Sequence, residues 1–239
     1  MVRLKGDQGS IPVEAPEGAG PPATVKDALL HPHRRKHGIR LTIASLLLIA
    51  TALPIQRHYV PELERDFFRA INGLSDSLEP AVSVAMQLGN LLAVPALALA
   101  ALVATRRYRL PLDLALSGTA AWLLARVVKE IVQRGRPVEL MQDVVLRGPP
   151  AQGHGYVSGH AAVAAAMAAV TVTYLGPRGK VVVIVLAAIV GFGRIYAGVH
   201  LPLDVVGGAA MGWAIASLMH FVVLPEVTGE DPDEPEGER

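Results

Sequence analysis

Cysteine is absent from all 239 residues. That excludes disulfides, a thiolate nucleophile and any Cys-ligated metal, and it is compatible with any compartment. The chain also lacks an apolar run near its start. Met1 to Pro32 is rich in Pro, Gly, Ala and Glu, so no secretory h-region is read there. Residues 1–37 are expected to form a disordered tail, because they offer too little apolar surface to offset ordering entropy. The closing stretch GEDPDEPEGER carries many carboxylates and almost no apolar side chain. Residues 225–239 are expected to be a solvated acidic tail. Charge of one sign is missing overall: the net charge is +1. It points to no acidic or basic partner, and no nucleic acid is expected. No tandem repeat is visible, and no apolar stretch alternates as a strand would.

What the chain has instead is apolar mass in blocks. Hydrophobic residues make up 51% of it, and the mean hydropathy is +0.39. Six segments emerge: Leu41 to Ile55, about Pro80 to Ala104, Leu112 to Val132, Ala161 to Leu175, Val181 to Tyr196, and Val205 to Val223. The second contains Pro95, which is expected to kink it. Lipid admits only helices or closed barrels. The reading is therefore an all-α integral membrane bundle of about six transmembrane helices over residues 38–224. The basic stretches HPHRRKHGIR, TRRYR and GPRGK fall on one side of six spans. The positive-inside rule makes that side, and both termini, cytoplasmic. A bacterial-type plasma membrane is expected. The Gln56–Glu79 loop on the other side is expected to include a short amphipathic helix lying on the bilayer.

Ionisable residues gather at the outer ends of these segments. The third ends ARVVKEIVQRGRP, the fourth begins after YVSGH, the fifth ends GFGRIYAGVH, and the sixth begins LPLD. Charges at such depth are costly and normally face a polar cavity. Lys129, Arg136 and Arg194 together suit a phosphoryl group, since guanidinium forks match phosphate oxygens. Ser158 and the backbone at Gly159 add donors at a helix start. His200 is a candidate nucleophile on phosphorus. Asp204, four residues on, can hold its ring and stabilise its cation. His160 can protonate the leaving oxygen and then activate water. No metal is required for this set, and the cations beside His154, His160, His200 and Asp204 oppose a metal ion. Arg134 and Arg147 are read as headgroup or solvent charges. Arg126 is read as a partner of Glu130 or a substrate contact, His154 as a loop residue, Asp113 and Asn90 as packing or interfacial groups, and His58 and His220 as interfacial.

KEIVQRGRP, VSGH and GRIYAGVHLPLD resemble, in order and spacing, the three motifs of the type-2 phosphatidic acid phosphatase superfamily: Lys-x6-Arg-Pro, Pro-Ser-Gly-His and Ser-Arg-x5-His-x3-Asp. Val157 stands where Pro is usual, and Gly193 where Ser is usual, which removes one hydroxyl from the phosphate site. The resemblance covers about Leu41 to Val223. It implies a helical bundle that hydrolyses phosphomonoesters or diphosphates on lipids without a divalent metal or other cofactor. It implies further that Lys129, Arg136 and Arg194 bind phosphate with help from Ser158 and Gly159. His160 is then general acid and base, His200 becomes phosphohistidine, and Asp204 orients it. The site would lie at the extracytoplasmic face, and the substrate would be a lipid phosphomonoester or polyprenyl diphosphate. Three alternatives stay open. One is a phosphatase of small soluble esters, and another is a non-catalytic binder or translocator of lipid phosphates. The third is a vanadate-holding haloperoxidase of the same superfamily, which six lipid spans argue against. Neither the lipid nor the oligomeric state is legible.

Overall fold

The computed structural model of the chain describes residues 32–55 and 59–222, with side chains over 37–55 and 59–220. Of the two expected tails, residues 1–31 and 223–239 lie outside the described part, as do Arg57 and His58. The regular elements are all helices. They are α1 (Pro32–Ala52), α2 (Glu62–Asn72), α3 (Glu79–Met86), α4 (Ala93–Thr105), α5 (Arg109–Val132), α6 (Pro137–Leu140), α7 (Gly159–Thr171), α8 (Pro177–Tyr196) and α9 (Pro202–Val222). Single 3-10 turns precede and follow α3.

All six apolar segments of the sequence become helical. Among the described residues three helices are long and apolar enough to span a bilayer, or four if the bent α3–α4 pair counts as one. About six spans were expected. The shortfall has a physical basis in α7. Its 13 residues rise about 20 Å, short of the roughly 30 Å of hydrocarbon. Every residue from Ala161 to Val170 is buried, so α7 is enclosed by protein and meets no lipid. An Ala-rich helix suits that position, because small side chains let neighbours approach on all sides. α9, α5 and α8 form most of its jacket. A Cβ added at Gly212 of α9 would collide with the Ala162 carbonyl of α7, so those two backbones touch. Ala121 and Ala125 of α5, Ala162 and Ala166 of α7, and Met211 and Ile215 of α9 form one buried cluster.

The second apolar segment breaks, but not at Pro95. The 75° bend falls between Gln87 and Leu92, where a 3-10 turn gives way to an Asn90 turn whose side-chain oxygen accepts from the Leu92 amide at 3.3 Å. Pro95 sits in the first turn of α4, where its missing N–H costs nothing. The amphipathic helix expected on the bilayer is α2, and it docks on the bundle. Glu64, Phe68 and Asn72, spaced four apart, are its buried face. Asn72 donates to the Val145 and Tyr196 carbonyls at 2.8 and 2.9 Å and accepts from the Val145 amide at 2.9 Å. Leu63 and Phe67 point outward.

Arg147, read from sequence as a headgroup or solvent charge, is a buried clamp. Its guanidinium lies 4.1 Å from the centre of the Tyr196 ring and donates to the carbonyls of Asn72, Tyr196 and Leu74 at 2.7–2.8 Å. It joins α2 to the end of α8. At the opposite end of the bundle, Asp113 is buried and accepts from the Tyr174 hydroxyl at 2.6 Å.

Candidate active site

The ends of α5, α7, α8 and α9 meet at one end of the bundle, and each delivers a polar group there. α5 stops at Gln133, which takes a left-handed conformation with φ 53°, and this turn sets Lys129 on the last helical turn. Pro137 then opens α6, with Glu139 accepting from the Arg136 amide at 3.0 Å. α7 starts at Ser158, whose hydroxyl caps the Ala161 amide at 3.5 Å. α8 ends just past Arg194, whose carbonyl accepts from the amides of Val199 and His200. α9 starts at Pro202, a favoured first-turn residue, with Asp204 in that turn.

A cavity of about 460 Å³ lies among these ends. Lys129, Arg136, Gly159, His160, Arg194 and His200 all line it. Asp204 does not line the cavity. It lies behind His200, fully buried, with Oδ2 3.5 Å from His200 Nδ1 and 2.9 Å from the Leu201 amide. The His–Asp contact is long for a hydrogen bond; such contacts often tighten once substrate binds. With Nδ1 facing the carboxylate, Nε2 is left toward the cavity side, 3.5 Å from Arg136 Nη1. Ser158 is also absent from the wall. It is wholly buried, its hydroxyl committed to the cap.

The three cations differ in what else they hold. Lys129 Nζ donates to the His154 carbonyl at 2.8 Å. Arg136 donates to the Gly153, Gln152 and Val199 carbonyls at 2.7, 2.7 and 2.8 Å. Among the described residues Arg194 has only the Met86 sulfur at 4.0 Å, and its Nε has no partner there. It is therefore the cation whose donors are most available to an anion. Gly193 has a packing reason as well: a Cβ there would stand 2.6 Å from Met86 Cγ and 2.9 Å from Val82 Cγ1. The position has no room for a serine while α3 lies where it does. Arg126, Glu130 and His154 also line the cavity, and the Arg126 guanidinium sits 4.8 Å from the centre of the Trp122 ring. Among the described residues no three histidines or carboxylates converge as metal ligands.

Besides Arg147, two charged residues behind the cavity were misplaced or missed by sequence reasoning. Arg134, taken as a headgroup or solvent charge, has no exposed surface. It bridges Asp204 and Glu64, with Nη1 at 2.8 Å from Asp204 Oδ1 and Nη2 at 2.6 Å from Glu64 Oε2. Glu64 falls in the Gln56–Glu79 loop, where the sequence reading singles out no residue. Its signal was available: in ELERDFFRAIN it shares a stripe with Phe68 and Asn72, a carboxylate on the packing face of an amphipathic helix.

Comparison with known proteins relates this geometry to a family. The PAP2 superfamily matches residues 110–226, a stretch that contains every residue of the three motifs. Over that stretch, just under half of its length, the chain is similar to the PAP2 superfamily. An undecaprenyl-diphosphatase from Sulfolobus acidocaldarius is 32% identical over 130 residues, covering 54% of this chain and 61% of that relative, so the match spans about three fifths of its length. The crystal structure of Aquifex aeolicus LpxE superposes with a TM-score of 0.61 at 28% identity, over 69% of this chain and 98% of that one. A transmembrane PAP2 type phosphatidylglycerolphosphate phosphatase from Bacillus subtilis superposes with a TM-score of 0.59 at 20% identity, over 75% and 93%. The last supports the fold alone. The apolar helices long enough to cross a bilayer, together with this likeness in fold to a transmembrane protein, suit an integral membrane protein.

Burial, then the charges of Lys129, Arg194 and Arg136, holds the His200 imidazole well below its usual range near 6.5. The ring should stay neutral at mildly acidic pH, its Nε2 lone pair free. Imidazole nitrogen shifts in NMR, assigned against His200→Gln, should remain those of a neutral ring as the pH falls through the range where a free imidazole titrates. Half-protonation near 6.5 would contradict the arrangement. The sign carries to stability. Below about pH 6.5 the unfolded chain binds a proton there that the folded chain does not, so His200 makes stability fall as pH falls.

Proposed function

We propose that this protein is a metal-independent phosphatase of membrane lipids, acting through a phosphohistidine at the extracytoplasmic face. The observation that carries the reading is the convergence of three cations and two histidines from separate helix ends and connections on one cavity, with a buried carboxylate behind one of the histidines. His200 Nε2 attacks phosphorus, and the bond to the leaving oxygen breaks as His160 gives that oxygen its proton. The P–N bond so formed is then cleaved by water. The water's proton returns to His160, and Nε2 regains its lone pair as phosphate leaves. Lys129, Arg136 and Arg194 neutralise the phosphoryl oxygens, and the Gly159 amide region at the start of α7 adds to the cradle. Ser158 contributes by capping that helix.

The substrate is a lipid phosphomonoester or polyprenyl diphosphate. The relative named as an undecaprenyl-diphosphatase favours the diphosphate. Leu91 and Trp122 on the cavity wall suit an alkyl or prenyl chain arriving sideways from the bilayer. Basic stretches open α1 and α8 and separate α4 from α5, all at helix ends opposite the cavity. This supports cytoplasmic termini and an extracytoplasmic site. Purified protein in detergent with EDTA should release phosphate from one or more of polyprenyl diphosphates, phosphatidic acid and phosphatidylglycerol phosphate. Headgroup binding with no phosphate release across that panel would replace the enzyme with a lipid-phosphate binder.

A further inference from the structure

Behind the cavity lies a chain of buried charges, Glu64, Arg134 and Asp204, of which the reaction as written uses only Asp204. Glu64 comes from α2, Arg134 from the loop after α5, and Asp204 from the first turn of α9. Arg134 Nη1 reaches Asp204 Oδ1 at 2.8 Å and Glu64 Oε1 at 3.1 Å, and Nη2 reaches Glu64 Oε2 at 2.6 Å. Glu64 Oε1 also accepts from the Leu203 amide at 2.9 Å, in the turn that carries Asp204. Arg134 is held from its other side, where its carbonyl accepts from the Gly155 amide at 2.7 Å. Three ions this deep are an expensive way to join helices, since apolar residues of similar volume often do as well. Arg134 Nε is left with no acceptor, so the guanidinium is placed to serve the two carboxylates at the cost of its own full bonding.

The charge count supplies the reason. Arg134 with Asp204 alone would be neutral and would exert little field on His200. Adding Glu64 makes the group net negative, with Asp204 Oδ2, which also accepts from the Leu201 amide, turned to His200 Nδ1. That ring must become cationic when Nε2 bonds to phosphorus, in a pocket already holding three cations. We infer that Glu64 and Arg134 are positioning residues of the reaction: they aim the Asp204 carboxylate at His200 and leave the group one negative charge in excess. α2 is thereby part of the catalytic unit, although the matched PAP2 region begins at residue 110. The inference rests on the proposed phosphatase reading.

Glu64→Gln tests it, because the amide keeps the shape and removes the charge. In detergent, on the substrate that wild type turns over, kcat should fall about 10–100-fold, as for loss of a supporting partner of an active-site ligand. KM should stay within about threefold, and so should the inhibition constant of inorganic phosphate, because the three cations are untouched. In an Asp204→Asn background the same change should cost less than about threefold more, since both act through one group. A kcat within twofold of wild type overturns the inference. So do losses that multiply in the double variant, or a phosphate inhibition constant that rises in step with the fall in kcat, which would mean collapse of the site. Should Glu64→Gln aggregate, Arg134→Lys carries the same measurements, since it keeps the charge and loses the fork; a kcat within twofold overturns the inference equally. Wild type that releases no phosphate from any substrate defeats the phosphatase reading instead, and is told apart by that control.

Discussion

His200→Ala should leave no measurable phosphate release, a fall in kcat of about 10³-fold or more. The covalent route needs a nitrogen lone pair in the cavity with a carboxylate behind the ring, and of the three imidazoles on the wall, His154, His160 and His200, His200 is the one that faces Asp204. His160 is committed to the leaving oxygen, and the three cations have no lone pair to offer. Asp204→Asn should be nearly as damaging, by about 10²–10⁴-fold, although it removes no reacting atom. The amide can still take the Leu201 amide or the Arg134 guanidinium, but it cannot stabilise an imidazolium. It also leaves the buried Arg134 with one carboxylate in place of two. Phosphate binding should survive both changes, because Lys129, Arg136 and Arg194 remain. The check is therefore the turnover number together with the inhibition constant of inorganic phosphate, measured with EDTA present. Turnover in His200→Ala within tenfold of wild type would remove His200 as nucleophile.

The motif residues were legible in the sequence because depth made their charge conspicuous. Lys129, His160, Arg194 and His200 each interrupt or end an apolar segment, and lipid gives such groups few places to face. Four of them could be assigned to one cavity before any coordinates. The same rule should have flagged Arg134, two residues before Arg136. It was misread because sequence spacing does not say which way a loop turns. The left-handed turn at Gln133 sends Arg134 inward, toward a carboxylate 70 residues away. Glu64 was harder still, since its partner lies on a separate element and nothing local marks it except the stripe shared with Phe68 and Asn72. The bend of the second segment was placed at Pro95 by a rule for helix interiors. The break at Gln87–Leu92 makes that proline a first-turn residue, and the rule then has nothing to act on. The shortness of α7 was visible, but its enclosure was not: an Ala-rich run reads the same whether lipid or protein surrounds it.

Arg136→Lys should be almost as inactive as loss of the nucleophile, with kcat/KM lower by about 10³-fold, and it should also lower the melting temperature. The residue was chosen from sequence as a phosphate ligand, yet its guanidinium already donates to three carbonyls, those of Gln152, Gly153 and Val199. With three of five N–H groups so used, at most two are left for phosphate. The other three fasten the Gln152–Gly153 loop to the chain immediately before His200. A lysine keeps the positive charge but is a single nitrogen on a flexible stem, unable to span carbonyls on two segments. Of the abandoned carbonyls that of Val199 is buried, and leaving it unpaired costs about 1–3 kcal/mol. Freed from Val199, His200 need shift only slightly, since about 1 Å of misplacement can cost 10²-fold in rate. The two effects separate experimentally. If Arg136 served phosphate alone, Arg136→Lys would raise KM and leave the melting temperature unchanged. If it is also the clamp, kcat and thermal stability fall together, while Lys129→Arg, which touches only the His154 and Gly155 carbonyls, leaves stability near that of wild type.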